Sequence, residues 1–455
     1  MNNILDTEKT IVAISTPIGA GGISIVRLSG KDSINIADKL FKSLKGLKPS
    51  GFDSNKLVLG YFSGFHAKDK CFCVVFRAPN TFSGENMVEF QCHGGIKITE
   101  LILKDCIEYG AVIAQNGEFS MRAFLNGKMS LSEAEGMIDV INAQSESELA
   151  AGYTLMSGQL TKRIDAYQKE IIDILSEIEV SFDYPEEDIE YTTVPIVKKR
   201  LILLAKNIDE LINTSNTGSI IRNGINAVIV GKPNVGKSSI LNALLNKNKA
   251  IVTNIAGTTR DIIEDAFEIN GIKVNIIDTA GIHETKDKIE KIGVEKSIDQ
   301  LKSADIILFV IDNTQKLSTE DHLIYNKIKN KKHIVICNKI DKKTNYNYSS
   351  IDKNVLFVSA KNATNIQQIK ECIYKMVIDA NIISSNIIIT SERHSECLRR
   401  AKNSIMTAIS NIDNVTLDLV SIDINDAFSA LGEITGTTSN EVILDSVFSK
   451  FCLGK

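Results

Sequence analysis

The chain reads as a multidomain α/β protein. A P-loop domain with a doubly wound, mainly parallel sheet is inserted into a helical domain, and an α+β domain comes first. Three patterns lead there. The first 120 or so residues alternate strand-like runs with turn residues. Residues 220–380 alternate apolar runs with helical stretches, and helical periodicity occupies the sequence on both sides of that block. With 455 residues the chain exceeds one ordinary domain, and two to four are expected at roughly 100–200 residues each. The boundaries expected are 1–122, 123–219, 220–380 and 381–455.

In the first block, Thr10–Thr16, Gly22–Leu28, Lys56–Phe62, Cys71–Arg77 and Asn86–Gln91 carry β-branched, aromatic or alternating apolar residues between Gly, Pro, Asn and Ser. Pro17–Gly22 is a flexible loop between the first two strands, and a helix runs from about Ile96 to Tyr109. Helical pattern takes over from about Ser130. Leu160, Ile164, Tyr167, Ile171, Ile174 and Ile178 step by four and three residues, a stripe that suits the core of a helical bundle better than the seam of a dimer. Pro185–Asp188 breaks the pattern, a second helix covers about Val194–Asn213, and Thr214–Gly218 reads as a linker.

The third block gives strands at Ala227–Val230, Lys273–Asp278, Ile306–Asp312, His333–Asn338 and Val355–Ser359. Helices are expected from Lys237, near Ile289–Leu301, near Thr319–Ile328 and over Ile366–Ile378, with a polar loop at Lys342–Ser350. Helical pattern returns from Ser391, so helical sequence brackets the α/β block.

Composition narrows the function. Hydrophobic residues make up 43% and charged residues 24%, as in ordinary globular proteins, and the net charge is −4. That balance argues against broad, unspecific nucleic-acid affinity but leaves room for a local basic cleft. No run of roughly 18 apolar residues suggests a membrane span, and Met1–Asp6 lacks a basic-then-apolar signal; a cytoplasmic protein is expected. The eight cysteines include no C-x-x-C pair, which argues against a zinc site or a disulfide framework. Cys337 reads as a small core residue. Cys452 sits where a prenylated cysteine would, but Gly454 and Lys455 do not suit that signal.

The chemistry lies in four strings. Gly231-Lys232-Pro233-Asn234-Val235-Gly236-Lys237-Ser238 matches G-x-x-x-x-G-K-[ST], with Ser239 following. Its glycines let backbone N–H groups approach phosphates, and the helix that starts near Lys237 aims its positive end at them. Lys237 supplies a point charge, and the Ser238 hydroxyl suits Mg²⁺. Asp278-Thr279-Ala280-Gly281 closes an apolar strand, so that Asp278 can hold hydrated Mg²⁺ and Gly281 can offer its N–H to the γ-phosphate. Asn338-Lys339-Ile340-Asp341 fits N-K-x-D: Asp341 can accept from guanine N1–H and its exocyclic amine, a pair that adenine lacks. Asn338 is placed for the base edge, the stem of Lys339 packs on the ring, and Ser359-Ala360-Lys361 backs the base. Ile282 stands where Ras-like enzymes carry a water-orienting Gln, so hydrolysis uses another group or is very slow.

With these residues in view, the chain resembles the MnmE (TrmE) family of tRNA modification GTPases over essentially its whole length. The carriers are Gly231–Ser239, Ile251–Asp261, Phe451–Lys455, Pro17–Ser29 and Gly84–Gly95. Gly257-Thr258-Thr259-Arg260-Asp261 is shared with other bacterial GTPases; the Cys-x-Gly-Lys terminus joined to this N-terminal domain is specific. The resemblance implies that Thr259 ligates Mg²⁺ with Ser238. Asn234 and the loop of Thr253, Asn254, Ile255, Ala256, Gly257 and Thr258 would hold K⁺ against the phosphates, with Asn234, Thr253, Ile255 and Thr258 as ligands. Such a cage can stabilise transition-state charge where others use an arginine finger, and it would form when two G domains meet. Glu290 would position the attacking water, with Arg260 and Cys452 as further candidate catalytic residues. Arg27, Glu89, Lys128 and Lys455 would contact 5-formyltetrahydrofolate. On residue type alone, Glu290, Arg27 and Lys128 read as surface charges and Cys452 as a buried small residue. His283, where some relatives have Arg, is a departure.

The resemblance implies a K⁺- and Mg²⁺-dependent GTPase. It would form a homodimer through its N-terminal domains and join the flavoprotein MnmG (GidA) in a heterotetramer-like complex. Together they would add an aminomethyl or carboxymethylaminomethyl group to the 5-position of the tRNA wobble uridine. The alternative is a GTP-switched ribosome-assembly factor, which the G domain alone would fit equally.

Overall fold

The computed structural model describes residues 8–183, 189–245, 265–278, 304–344, 346, 348, 351–352, 354–377 and 387–454. The chain divides into two compact units, one of Met1–Ile141, Thr154–Leu204 and Arg400–Lys455, the other of Asn142–Tyr153 and Ala205–Arg399.

The first unit opens with a seven-stranded sheet in the order β3-β4-β5-β6-β2-β1-β7. Its strands are β1 (Ile11–Ile14), β2 (Ile23–Ser29), β3 (Phe41–Ser43), β4 (Val58–Ser63), β5 (Lys68–Phe76), β6 (Met87–His93) and β7 (Val112–Ile113). All neighbours are antiparallel except β1 and β7. Helices α1 (Ser33–Leu40) and α2 (Ile96–Glu108) cover one face, where Val12, Val26, Leu28, Phe62, Val88 and Phe90 are buried. Period-two alternation sends Ile11, Ala13 and Met87 to the other face, against Phe119. Phe119 lies on α3 (Glu118–Leu125), which precedes α4 (Leu131–Asn142) and α5 (Glu146–Met156).

The expected stripe forms one side of α6 (Gln159–Asp183): Leu160, Ile164, Tyr167, Ile171, Ile174 and Ile178 are all buried. Helix α7 (Ile189–Asn213) begins before the expected Val194 and carries Pro195 inside it, which costs its own N–H bond. The expected linker at Thr214–Gly218 is instead the start of α8 (Ser215–Asn223). Gly218 there is a packing residue, not a breaker: a Cβ would lie 2.0 Å from the Ile389 carbonyl oxygen.

The second sheet has six strands in the order β13-β12-β11-β8-β10-β9. They are β8 (Ile225–Val230), β9 (Asp265–Ile269), β10 (Ile272–Asp278), β11 (Ile306–Asp312), β12 (His333–Asn338) and β13 (Val355–Phe357). Only β9, at the edge, runs antiparallel, to β10. Every residue of β11 is buried. Ile306, Leu308 and Val310 pack with α9 (Lys237–Leu245) and α11 (Ile366–Val377) on one face. Ile307, Phe309 and Ile311 pack on the other, where Ile324, Tyr325 and Ile328 of α10 (Thr319–Ile328) cover them. An apolar run without alternation is what a parallel strand covered on both faces requires; Phe309→Ala would cost about 3–5 kcal/mol. The expected helix near Ile289–Leu301 lies outside the described residues.

The chain finishes in α12 (Glu392–Asn411), α13 (Leu417–Thr435) and α14 (Glu441–Phe448). In the first unit α13 packs along α6, where Gln168 Nε2 donates to the Phe428 carbonyl at 3.2 Å. No helix among the described residues is long and apolar enough to cross a membrane.

Candidate functional site

Parallel strands all finish at one edge of a sheet, and the loops leaving those ends can converge. The loop after β8 is Gly231–Gly236, and α9 begins at Lys237. Gly236 has φ +97°, and a Cβ there would fall 2.3 Å from Asn338 Nδ2, so glycine lets the loop close against the strand β12 end. Lys237 Nζ donates to the carbonyls of Gly231 at 2.8 Å and Lys232 at 3.0 Å, which holds the ammonium over the loop. Ser238 and Ser239 stand exposed in the first turn of α9, where unpaired N–H groups and the helix dipole favour an anion. Val235 is buried and anchors the loop.

The end of β12 knits three loops together. Asn338 is buried; its Nδ2 donates to the Val235 carbonyl at 3.1 Å, and its Oδ1 accepts from Ala360 N–H at 3.1 Å. Its amide thus ties the phosphate loop to the segment after β13. Lys339 adopts φ +70°, a conformation that costs of order 1–3 kcal/mol for a residue with a Cβ. Its Nζ donates to Asp312 Oδ2 at 2.6 Å and to the Asn234 carbonyl at 2.7 Å, which lays the stem across the site. Asp341 is exposed, and the buried Ser359 donates to its Oδ1 at 2.7 Å. That bond, first among the causes, holds its carboxyl below the ordinary range. An ionised acceptor therefore stands beside Ala360 and Lys361, as a base with two donors requires.

The first unit holds a cavity of about 370 Å³ lined by Arg27, Phe76, Phe82, Met87, Glu89 and Met137. Arg27 and Glu89 face each other across β2 and β6, and Arg27 Nε donates to Glu89 Oε1 at 2.7 Å. The guanidinium carbon lies 6.0 Å from the Phe82 ring centre and 5.8 Å from that of Phe119. A charged pair on an aromatic and thioether wall suits a flat ligand with polar edges.

Residues 10–128 match the family model for the GTP-binding protein TrmE N-terminus, and residues 131–452 match the MnmE helical domain. The second match runs across the nucleotide-binding segment. The whole chain aligns with the whole of the tRNA modification GTPase MnmE of Lactobacillus gasseri at 41% identity. It aligns at 41% with the protein of that name from Acetivibrio thermocellus, over 98% of this chain and 99% of the relative. The chain belongs to the MnmE family of tRNA modification GTPases. It is a GTP hydrolase, with the multidomain α/β architecture expected from its sequence.

The family's remaining site residues divide three ways. Asp278 ends β10 opposite Ile229. Thr253, Asn254, Ile255, Ala256, Gly257, Thr258, Thr259, Arg260, Thr279, Ala280, Gly281, Ile282, His283, Glu290 and Lys455 lie outside the described residues. Lys128 is exposed just after α3 and is not among the residues lining the Arg27–Glu89 pocket. Cys452 is exposed rather than buried, while Cys337 is a core residue. Burial pushes the Cys337 thiol up to about 12.

Sequence reasoning passed over two groups at the nucleotide site. Asp312 holds Lys339, and its position at the end of an apolar strand, like that of Asp278, was a usable signal. Lys232 Nζ pairs with Asp321 Oδ2 at 2.7 Å and donates to Ser318 Oγ at 3.0 Å; the Ser318–Asp321 capping box of α10 was visible as S-x-x-D. Phe76, Phe82 and Met137 carried no such signal.

Proposed function

We propose that this cytoplasmic GTPase uses Mg²⁺ and K⁺ and works as a homodimer with a flavoprotein partner of the MnmG (GidA) kind. Together they add an aminomethyl or carboxymethylaminomethyl group to the 5-position of the wobble uridine of tRNA, with a tetrahydrofolate supplying the one-carbon unit. The observation that carries the reading is that one chain holds both a phosphate loop tied to an N-K-x-D string and the Arg27–Glu89 pocket. A GTP-timed assembly factor needs the first and has no use for the second. The domain limits proposed are 1–122, 123–219, 220–380 and 381–455.

The donors present suit hard cations. Ser238 offers a hydroxyl at the start of α9, and Asn234 stands exposed in the loop with its carbonyl held by Lys339. Ser238 with Thr259 would hold Mg²⁺, and Asn234 with Thr253, Ile255 and Thr258 would hold K⁺; bound cations would offset charge on the phosphates during transfer. Glu290 would orient water, and Arg260 and Cys452 complete the proposed catalytic set. Arg27, Glu89, Lys128 and Lys455 would hold the folate: a carboxylate suits pterin donors, and cations suit the glutamate tail.

Nucleoside analysis of tRNA from cells lacking the chain tests the main claim. Loss of the wobble modification is expected; intact modification with accumulation of a ribosomal-subunit precursor would replace this reading with the assembly factor. Exchange of K⁺ for Na⁺, or Asn234→Ala, should lower kcat for GTP by roughly 100-fold, the scale of losing one transition-state contact. An unchanged rate would remove K⁺ from the site.

A further inference from the structure

Lys232 is the second residue of the phosphate loop, a position that the G-x-x-x-x-G-K-[ST] pattern leaves open. Its backbone and its side chain are both engaged. The carbonyl accepts from Lys237 Nζ at 3.0 Å, beside the Gly231 carbonyl at 2.8 Å. The side-chain Nζ lies 2.7 Å from Asp321 Oδ2 and donates to Ser318 Oγ at 3.0 Å. One residue therefore ties the seat of the Lys237 ammonium to the N-terminus of α10.

The anchor at α10 is well fixed. Ser318 N–H and Oγ both donate to Asp321 Oδ2 at 2.8 Å, within the capping box. That box is complete without a lysine from another element, so the Lys232 bond is an addition that joins loop to helix. The Asp321 side chain is 2% exposed and that of Lys232 14%. Asp321 Oδ1 is buried with no hydrogen-bond partner among the described residues. Removal of the lysine would thus leave a buried charge without its counter-ion, which is the costly way to break such a pair. The loop also starts tight against β11, the strand that leads to α10: a Cβ on Gly231 would fall 2.3 Å from the Val310 carbonyl oxygen.

We propose that Asp321, acting through Lys232, positions the Lys237 ammonium for the phosphates of GTP. Asp321 and Lys232 are positioning residues; Lys237 makes the contact. The consequence for GTP rests on the reading of Gly231–Ser238 as the phosphate loop. An ammonium that serves the β- and γ-phosphates together matters more to a triphosphate than to a diphosphate. Loss of its seat therefore weakens GTP more than GDP.

The test measures Kd for a non-hydrolysable GTP analogue and for GDP, both with Mg²⁺, on the full-length chain. Misfolded material lowers the number of sites and leaves Kd alone, so the two constants separate positioning from a folding defect. Lys232→Met and Asp321→Asn should each weaken the analogue roughly tenfold, the scale of one hydrogen bond to a charged group, and GDP by no more than about threefold. Lys232→Arg, which keeps a charged donor for Asp321, should stay close to the parent for both. Lys232→Met carries the test should Asp321→Asn fail to fold. The double variant Lys232→Met/Asp321→Asn should match the weaker-binding single variant, because a pair already broken has nothing further to lose. Losses that multiplied to about a hundredfold would overturn the joint action. Parent-like constants in Lys232→Met, or equal losses for the analogue and GDP, would overturn the positioning role. Lys237→Ala checks the loop itself: if it bound the analogue as the parent does, the phosphate-loop reading would fall and this proposal with it.

Discussion

The nucleotide site and the Arg27–Glu89 pocket are assembled by opposite means. At the second sheet, β8, β12 and β13 run parallel and finish at one edge. The loops that leave them each contribute a contiguous string. At the first sheet, the pocket takes one or two side chains from each of β2, β5, β6, the loop carrying Phe82, and α4. Its key pair is set by antiparallel register, which puts residue 27 opposite residue 89. A site made at strand ends is thus written along the chain. A site made on a sheet face is written across it, and a slip of β2 against β6 by one residue would put the two charges on opposite faces of the sheet.

The largest expected effect breaks one site and spares the other. Gly236→Ala places a Cβ 2.3 Å from Asn338 Nδ2 at φ +97°, where strain of about 1–3 kcal/mol adds to the overlap. Affinity for a fluorescent GTP analogue should fall on the order of 100-fold, with folate binding unchanged. If both affinities fell together, the two regions could not be treated as separate constructions.

That contrast accounts for what was legible. The G-x-x-x-x-G-K-S and N-K-I-D strings located β8, α9 and β12 because their neighbours in sequence are their neighbours in space. The stripe of α6 was legible because a buried helix face repeats every three or four residues. Thr214–Gly218 was misread because Gly218 and its polar neighbours match a linker, while the helix is stabilised by contacts distant in sequence: Thr214 Oγ1 accepts from Ile389 N–H at 3.0 Å. Strands β3 and β7 are two or three residues long and too short to show alternation. Phe76, Phe82 and Met137 looked like any apolar residues until the sheet set Arg27 beside them.

An intermediate effect sharpens the comparison from the other side. Glu89→Gln keeps the shape of the pocket but removes the charge that Arg27 Nε meets at 2.7 Å. Hydrogen bonds to charged groups are worth about 1.5–3 kcal/mol, so calorimetric affinity for 5-formyltetrahydrofolate should fall roughly tenfold or more. GTP turnover should not change. Folate binding that tolerated Glu89→Gln would leave the pair a structural cross-strand contact.

The smallest effect concerns Asp312, the nucleotide site's own cross-strand carboxylate, whose side chain is 3% exposed. Burial alone would push its carboxyl up. The bonds from Lys339 Nζ and from the Thr314 hydroxyl and N–H outweigh that and hold it below the ordinary range. A carboxylate lowered in the folded state contributes stability above its unfolded pKa and loses it as pH falls through the lower folded value. Between pH 8 and 5 its grip on Lys339 should therefore be constant. Asp312→Asn leaves an oxygen for Lys339 but no charge, so KM for GTP should rise about three- to tenfold, with kcat nearly unchanged and the ratio of variant to parent flat across that window. A ratio that drifted towards one as the pH fell to 5 would mean that Asp312 is already protonated there. Lys339 would then be held by the Asn234 carbonyl alone, and the nucleotide site would owe its geometry to backbone even more completely than the contrast with the pocket implies.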